Sequence, residues 1–273
     1  MSGHEFFTDT DFDQYRTLIY NECGIHFTST NRSILESRLK ECLREKNIDS
    51  VKAYYSLITS DQAELKSFLD SVTTNLTRFF RNEANFEALQ HHVIPELMNV
   101  KRATGNSVIR IWSAGCSTGE EPYTVAMLMT EVLPPGWKCE IIASDLSLKC
   151  LMSAKEGFYS DSRIAGIPDN YLKKYFEKVD GGYKIHPDIQ SKIRFDYHNL
   201  KNDSGHRNMD IVFCRNVIIY FDEPTQVAVI NKFWDAMAPK SFLFIGHSES
   251  LFGMNTKFEF VKTQWSTLYR KYI

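Results

Sequence analysis

Beyond residue 106, short runs of β-branched and aromatic residues alternate with segments of helical periodicity. The strand-like runs are SVIRIWSA (107–114), CEIIAS (139–144), DIVFC (210–214) and SFLFIG (241–246). The predicted helices that follow or separate them span residues 122–133, 148–155 and 224–237. Parallel strands cannot be joined by a tight turn and need a crossover, which a helix provides. This alternation therefore predicts an α/β fold, a doubly wound parallel sheet with helices on both faces.

The first 80 residues follow a different pattern. Apolar positions recur every three to four residues from Asp9 to about Phe80, and no proline interrupts them. This spacing predicts a small all-helical amino-terminal domain. One predicted helix, 31–46, separates an apolar stripe from a basic face. The stripe comprises Ile34, Leu35, Leu39 and Leu43, and the basic face comprises Arg38, Lys40, Arg44 and Lys46.

The change of pattern predicts the domain boundaries. We expect a helical domain over residues 1–83, a linker helix and loop over 84–106, and a sheet domain over 107–273. The linker ends in Ala-Thr-Gly-Asn, residues 103–106, which breaks the helical periodicity.

Two parts of the sheet domain depart from the strand–helix alternation. The turn sequence Asp180-Gly181-Gly182 is followed by two short alternating runs, 183–186 and 192–197, which predict a small antiparallel β-subdomain at about 177–198. The last stretch, 258–272, contains two strand-like runs with no room for a crossover helix between them. It therefore predicts an antiparallel edge of the sheet.

Charge and cysteine content narrow the function. The net charge of −2 and the pI near 6.5 provide no overall basic field for nucleic-acid phosphates. The six cysteines show no C-x-x-C spacing, so we expect free thiols and no metal site. The amino terminus lacks a signal-peptide pattern and no apolar run approaches 18 residues. We therefore expect a soluble, cytoplasmic protein with no membrane insertion.

The loop after the first strand is the strongest indication of a ligand site. In doubly wound sheets ligands bind outside the carboxyl ends of the strands. Here the loop is Gly115-Cys116-Ser117-Thr118-Gly119, followed by Glu120, Glu121 and Pro122. The small residues allow a close approach, whereas the two carboxylates disfavour a phosphate. A cationic ligand with hydroxyl and amino donors, such as S-adenosylmethionine, fits this pattern better.

The second strand ends at Asp145, where a carboxylate can accept hydrogen bonds from both hydroxyls of a ribose. An alternative remains open at this point, because Asp145 is also suited to be the N-cap of a helix from Leu146 onward. The order of small-residue loop and acidic strand end within one βαβ unit favours the cofactor interpretation.

Five strings resemble the successive motifs of CheR-type protein-glutamate O-methyltransferases, and the resemblance spans nearly the whole chain. They are TTNLTRFFR (73–81), RIWSAGCSTGEEPYTVAM (110–127), ASD (143–145), FCRNVIIYF (213–221) and GHSES (246–250). The resemblance implies a Rossmann-like S-adenosylmethionine methyltransferase sheet with a helical amino-terminal domain. It also implies that S-adenosylhomocysteine is the product and that the substrate is the cytoplasmic signalling region of a chemoreceptor, in chemotaxis adaptation.

The resemblance also implies a set of cofactor contacts. Glu121 would bind the methionyl amino group, Asp145 the ribose, and Asn199 with Leu200 the adenine. The full set is Asn75, Thr77, Arg81, Glu121, Asp145, Asn199, Leu200, Cys214, Arg215 and Asn216.

Three residues are candidates for the methyl-transfer step. A glutamate acceptor is already ionised at neutral pH, so no general base is required. Arg81 or Arg215 is suited to hold the acceptor carboxylate, with Tyr220 as a hydroxyl donor. As alternatives, Arg81 forms only a surface ion pair, and Tyr220 packs beneath the helix that follows it. Phe79 and Phe80 are expected in the core rather than against the cofactor.

The basic face of helix 31–46, with Arg38, Lys40 and Arg44, is a candidate docking surface for an acidic receptor helix. The alternative is that these charges are only solvated. Family members that bind the carboxyl-terminal pentapeptide of a receptor have a longer glycine-containing loop than Asp180-Gly181-Gly182, so we expect no such tether.

Two other functions compete with this interpretation. One is a non-catalytic scaffold that keeps the fold and binds receptor helices. The other is a nicotinamide-dependent dehydrogenase, which the absence of a G-x-G-x-x-G motif and the glutamates of the loop disfavour.

Overall fold

The structure, a computed structural model, describes residues 6–273 and divides into two compact units. The first unit extends to Thr74 and includes Tyr220–Thr225. The second unit comprises Asn75–Ile219 and Gln226–Ile273.

The first unit is helical, as its periodicity predicts. Polar side chains fix the helix starts: Thr8 and Asp11 form a capping box, and Ser50 and Asp61 cap the third and fourth helices. The helices are α1 (Asp9–Cys23), α2 (Arg32–Lys46), α3 (Val51–Ser60) and α4 (Gln62–Val72).

Helix α2 separates an apolar from a basic side, with one exception to the predicted stripe. Leu35, Leu39 and Leu43 are buried, whereas the side chain of Ile34 is 51% exposed. The prediction is wrong for Ile34 because, at about 100° per residue, it lies about 120° around the helix from the centre of the buried face. Cys42 completes the buried side instead, at the three-residue spacing.

The second unit carries the sheet. Its helices are α5 (Glu83–Ala88), α6 (Ile94–Arg102), α7 (Glu120–Val132), α8 (Leu148–Glu156), α9 (Asp169–Tyr175), α10 (Pro187–Gln190) and most of α11 (Glu223–Ala236). Its strands are β1 (Val108–Ala114), β2 (Lys138–Asp145), β3 (Phe158–Tyr159), β4 (Phe176–Val179), β5 (Gly182–Ile185), β6 (Ile193–Tyr197), β7 (Met209–Cys214), β8 (Met237–Ile245), β9 (Glu259–Lys262) and β10 (Thr267–Lys271). One π-helical turn, Leu89–Val93, joins α5 to α6.

The main sheet has seven strands in the order β6-β2-β1-β7-β8-β10-β9. Strands β6, β2, β1, β7 and β8 are parallel, and β10 and β9 add an antiparallel edge. The structure thus confirms the doubly wound sheet and its antiparallel end. From β1 the chain order runs one way to β2 and β6 and the other way to β7 and β8. Such a reversal opens a crevice at the carboxyl ends of the two central strands.

The small antiparallel sheet is present, but its membership differs from the expectation. It contains β3, β5 and β4, with the turn at Asp180 and Gly181 joining β4 to β5. The run 192–197 does not belong to it, because β6 pairs in parallel with β2 as the edge of the main sheet. Alternating polarity is typical of any half-exposed strand, so the pattern alone did not reveal its partner.

All six cysteines are free thiols, as expected. Burial raises the pKa of the Cys116 and Cys214 thiols, and it raises that of Cys139 to about 12. Each helix within residues 6–273 is too short or too polar to span a lipid bilayer.

A buried ion pair fastens α6 to the sheet. The Lys101 ammonium lies 2.8 Å from an Asp210 carboxylate oxygen, with side-chain exposures of 10% and 6%. The same carboxylate accepts a hydrogen bond from the backbone N–H of Arg110 at 2.8 Å. Replacing Asp210 by Ala should lower the free energy of unfolding by about 3–5 kcal/mol, because a buried ammonium is left without its counter-charge.

Asp161→Ala is the matched control for that urea-unfolding measurement. The Asp161–Lys178 pair has a comparable distance of 2.6 Å, but its side chains are 69% and 56% exposed. Water screens an exposed pair of this kind, so Asp161→Ala should lower the free energy of unfolding far less than Asp210→Ala. Equal effects of the two substitutions would contradict the role of burial.

Candidate active site

The crevice between β1 and β7 is lined by the loop Gly115–Gly119. Backbone N–H groups of Gly115 and Cys116 both donate to the Ser144 carbonyl, at 2.8 and 2.9 Å, so the loop folds back over the end of β2. Gly115 has φ of +84°, and a Cβ at this position would lie 2.5 Å from Val217 Cγ2. Glycine is therefore required here, and α7 begins at Glu120, two residues before the predicted start.

Asp145 ends β2 and fixes the loop. Its Oδ2 accepts the Ser117 N–H at 2.7 Å and its Oδ1 accepts the Ser147 N–H at 2.9 Å. The N-cap alternative is wrong, because Ser147 caps α8 by accepting the Cys150 N–H at 3.0 Å. The carboxylate thus lies at the end of the strand next to β1, where doubly wound folds bind a ribose.

Glu120 does not face the crevice, contrary to the expectation that both glutamates border a ligand. Its side chain is completely buried, accepts the Thr118 hydroxyl at 2.8 Å and pairs with Arg163. Burial raises the pKa of the Glu120 carboxyl, and Arg163 opposes that shift. The site therefore does not present two adjacent carboxylates that would repel a phosphate.

Glu121 is the carboxylate that connects the two sides of the crevice. Its Oε1 accepts the Ser113 hydroxyl at 2.7 Å, and its Oε2 lies 3.2 Å from Arg215 Nη1. The side chains are 13% exposed for Glu121 and 3% for Arg215. Ser113 belongs to β1 and Arg215 follows β7, so this pair crosses the reversal point of the sheet.

Arg215 is enclosed on several sides. Nη2 donates to the Arg81 carbonyl, and the guanidinium lies 5.4 Å from the centroid of the Phe86 ring. Nε is buried and has no hydrogen-bond partner within residues 6–273. Burial lowers the pKa of Arg215, and Glu121 opposes that shift. Both Nη groups are thus engaged by the protein itself.

The segment before α5 brings three predicted residues to the same loop. The Asn75 carbonyl accepts a hydrogen bond from the Ser117 hydroxyl at 3.2 Å. Thr77, two residues further along the chain, is half-buried. Arg81 is half-buried and its Nη1 donates to the Leu76 carbonyl at 2.8 Å. The surface ion pair considered for Arg81 does not occur within the described residues.

Phe79 and Phe80 lie in the core, as predicted. Phe79 packs edge-on against Tyr159 and Phe176, with ring centroids 4.8 and 5.4 Å apart. The Phe80 ring centroid lies 5.0 Å from that of Tyr171.

The other predicted cofactor contacts follow β6 and β7. Asn199 and Leu200 are half-buried after β6, and Asn199 Oδ1 accepts the Lys201 N–H at 3.0 Å. Cys214 is fully buried at the end of β7, and burial raises the pKa of its thiol. Asn216 adopts a left-handed backbone with φ of +59°.

Tyr220 ends a short 3-10 turn and belongs to the helical unit. Its carbonyl accepts the His26 N–H at 2.8 Å, and its side chain is half-buried. Its catalytic role stays a prediction.

The basic face of α2 is partly neutralised within the helix. Arg38 lies 3.6 Å from Glu41, and Lys40 donates to Glu36 at 2.7 Å. Arg44 is exposed and forms no ion pair within residues 6–273.

Glu249 is a further residue of the site that was not predicted from the sequence. Its Oε2 accepts the N–H groups of Asn216, at 2.9 Å, and Gly246, while Oε1 accepts that of Ile219 at 3.3 Å. The Val217 N–H also contributes to holding this carboxylate. Burial raises the pKa of Glu249, and these donors oppose the shift. One side chain thus joins the loop after β7 to the loop after β8.

Replacing Glu249 by Gln tests this connection. An amide has one acceptor oxygen and brings N–H donors against backbone N–H donors. The free energy of unfolding should fall by about 1–3 kcal/mol in urea denaturation. Glu259→Gln, on an exposed position of β9, is the control and should change stability by less than about 0.5 kcal/mol. Two equal values would show that Glu249 does not fasten the loops.

Comparisons with known proteins identify the family to which both parts of the chain are similar. The family model for the CheR methyltransferase SAM binding domain matches residues 75–267, and that for the CheR methyltransferase all-alpha domain matches residues 10–73.

Three chemotaxis protein methyltransferases match over most of both chains. A chemotaxis protein methyltransferase of Borreliella burgdorferi is 35% identical over 93% of this chain and 92% of its own length. Chemotaxis protein methyltransferase 2 of Vibrio cholerae is 33% identical over 97% and 93% of the two chains. The chemotaxis protein methyltransferase of Escherichia coli is 32% identical over 92% and 88%. The chain therefore belongs to the CheR methyltransferase family, and its second unit is an S-adenosylmethionine-binding methyltransferase domain.

Proposed function

We propose that this methyltransferase esterifies the γ-carboxyl groups of glutamates in the cytoplasmic signalling region of chemoreceptors, using S-adenosylmethionine as methyl donor. The observation that carries the proposal is the Glu121–Arg215 pair beside Asp145 at the carboxyl edge of the sheet. The names of the relatives, chemotaxis protein methyltransferases, support the substrate class. Because this substrate lies in the cytoplasm, we expect the enzyme to act there. We expect it to bind no nucleic acid and to have no membrane-spanning segment.

The residues at the crevice fit S-adenosylmethionine. Asp145 provides a carboxylate for the ribose hydroxyls, and Glu121 provides one for the methionyl ammonium. Gly115 lets the loop after β1 pack directly against Val217 of the loop after β7. Asn199 and Leu200 are proposed at the adenine, and Asn75, Thr77, Cys214 and Asn216 complete the cofactor contacts. When bound, S-adenosylmethionine supplies a methyl group activated by its sulfonium.

The protein's own residues then have to hold an ionised glutamate in line with that methyl group. We assign the carboxylate-holding role to Arg81, because both Nη groups of Arg215 already engage Glu121 and the Arg81 carbonyl. Arg215 would act by orienting Glu121. Tyr220 is proposed as a hydroxyl donor to the acceptor carboxylate. Orientation and desolvation of two opposite charges require no general base and no metal.

The competing functions are less well supported. A non-catalytic scaffold has no need for Arg81, Glu121, Asp145 and Tyr220 together. A nicotinamide-dependent dehydrogenase is inconsistent with membership of the CheR family. We also propose that the enzyme works without a carboxyl-terminal receptor tether, since only Asp180 and Gly181 connect β4 to β5.

Incubation of the protein with methyl-labelled S-adenosylmethionine and a purified chemoreceptor signalling-region fragment tests the function. The fragment should gain label that is released by base, as a methyl ester is. Arg81→Ala should lower the transfer rate by roughly a hundredfold or more, which corresponds to about 2.7 kcal/mol of transition-state stabilisation.

Arg207→Ala is the control, because Arg207 is exposed, pairs with Asp203 and is not among the residues assigned to the cofactor or the acceptor. It should transfer methyl groups at the wild-type rate. Absence of base-labile label with the wild-type protein would overturn the proposed function. Full turnover by Arg81→Ala would remove only that residue from the mechanism.

The exposed part of the basic face of α2 is proposed to steer the acidic receptor helix. Exchanging Lys40 and Arg44 for Glu should raise the KM for the receptor fragment about tenfold while leaving the affinity for S-adenosylhomocysteine unchanged. Lys52→Glu is the control, because it reverses the charge of an exposed residue on α3. Unchanged KM in the double variant would show that these charges are only solvated.

A further inference from the structure

Three large apolar side chains are exposed on segments that meet at the crevice. Leu76 is 78% exposed, Ile219 is 47% exposed and Phe252 is 95% exposed. We call these three residues the apolar rim. Large apolar side chains exposed on segments that border a functional site are candidates for contact with a partner.

The turn that carries Phe252 is anchored on both sides of it. Leu251 is 5% exposed, and its N–H donates to the Tyr269 hydroxyl at 2.9 Å. The Met254 N–H closes the turn onto the Leu251 carbonyl at 3.1 Å, and Gly253 supplies the required φ of +81°. A neighbouring buried residue thus holds the turn while the phenylalanine ring points into solvent.

Hydrogen bonds join the three segments of the rim. The Leu76 carbonyl accepts Arg81, and the Arg81 carbonyl accepts Arg215, the residue that follows β7. The Ile219 N–H reaches Glu249, which lies three residues before Phe252. These hydrogen bonds therefore connect the three segments of the rim to Arg81, Arg215 and Glu249.

A cation lies beside the rim. Arg78 is two residues from Leu76, is exposed, and forms no ion pair within residues 6–273. A surface that combines exposed apolar side chains with an uncompensated guanidinium complements an acidic protein segment that also carries apolar residues.

We propose that the apolar rim is the docking surface for the protein segment that carries the methyl-accepting glutamate. Apolar side chains that flank the glutamate pack on Phe252, Leu76 and Ile219, and acidic side chains of the same segment pair with Arg78. This inference rests on the proposed function, because it concerns the segment that the reaction modifies.

Phe252→Ser is the informative variant, since a side chain so exposed contributes little to folding. Burial of a phenylalanine in a complex corresponds to a roughly ten- to hundredfold change in affinity. The KM for the receptor fragment should rise by that factor, with kcat at saturation and the affinity for S-adenosylhomocysteine unchanged. Arg78→Glu should raise the KM further and make it depend less on salt.

Phe260→Ser is the matched control, because Phe260 is 60% exposed on edge strand β9 and lies outside the rim. It should leave the KM unchanged. An unchanged KM in Phe252→Ser, or an equal rise in Phe260→Ser, would overturn the docking role while the wild-type methylation still supports the proposed function. Loss of a wild-type dimer in Phe252→Ser, seen by light scattering, would assign the rim to self-association instead. Failure of the wild-type protein to methylate the fragment would overturn both proposals.

Discussion

The site depends on one buried ion pair, Glu121 with Arg215, placed where the strand order of the sheet reverses. Two buried charges cost desolvation energy that their attraction offsets only when other groups complete their hydrogen bonding. Here the Ser113 hydroxyl donates a hydrogen bond to the Glu121 carboxylate, and the Arg81 carbonyl and the Phe86 ring contact the Arg215 guanidinium. The pair thereby ties β1, the loop after β7 and the segment before α5 into one arrangement.

Two other carboxylates, those of Asp145 and Glu249, also connect segments around this ion pair. Asp145 holds the loop after β1 by accepting backbone N–H groups of Ser117 and Ser147, and Glu249 holds the loops after β7 and β8. The loops after β1, β7 and β8 are thus each fixed by a charged acceptor rather than by apolar packing alone. A site of this kind is organised before its ligands arrive, which is what stabilises charge changes during reaction.

Periodicity in the sequence was sufficient to predict the helices and strands, but it could not predict contacts between residues far apart in the chain. The strands β1, β2, β7 and β8 were predictable because buried parallel strands are continuous apolar runs. Glu120 and Glu121 are neighbours in sequence, yet only the distant Arg163 and Arg215 decide which of them is buried and which borders the crevice. The partner of β6 was equally hidden, since strand pairing is a property of the folded chain. The motifs that resemble the CheR family did identify the segments that meet at the crevice.

The most direct test of the account is a crystal structure of the protein with S-adenosylhomocysteine. We predict that the ribose hydroxyls lie within hydrogen-bond distance of the Asp145 carboxylate and that the amino group lies beside Glu121, with the Glu121–Arg215 pair intact. A ligand bound elsewhere, or bound here with Glu121 turned away from Arg215, would contradict it.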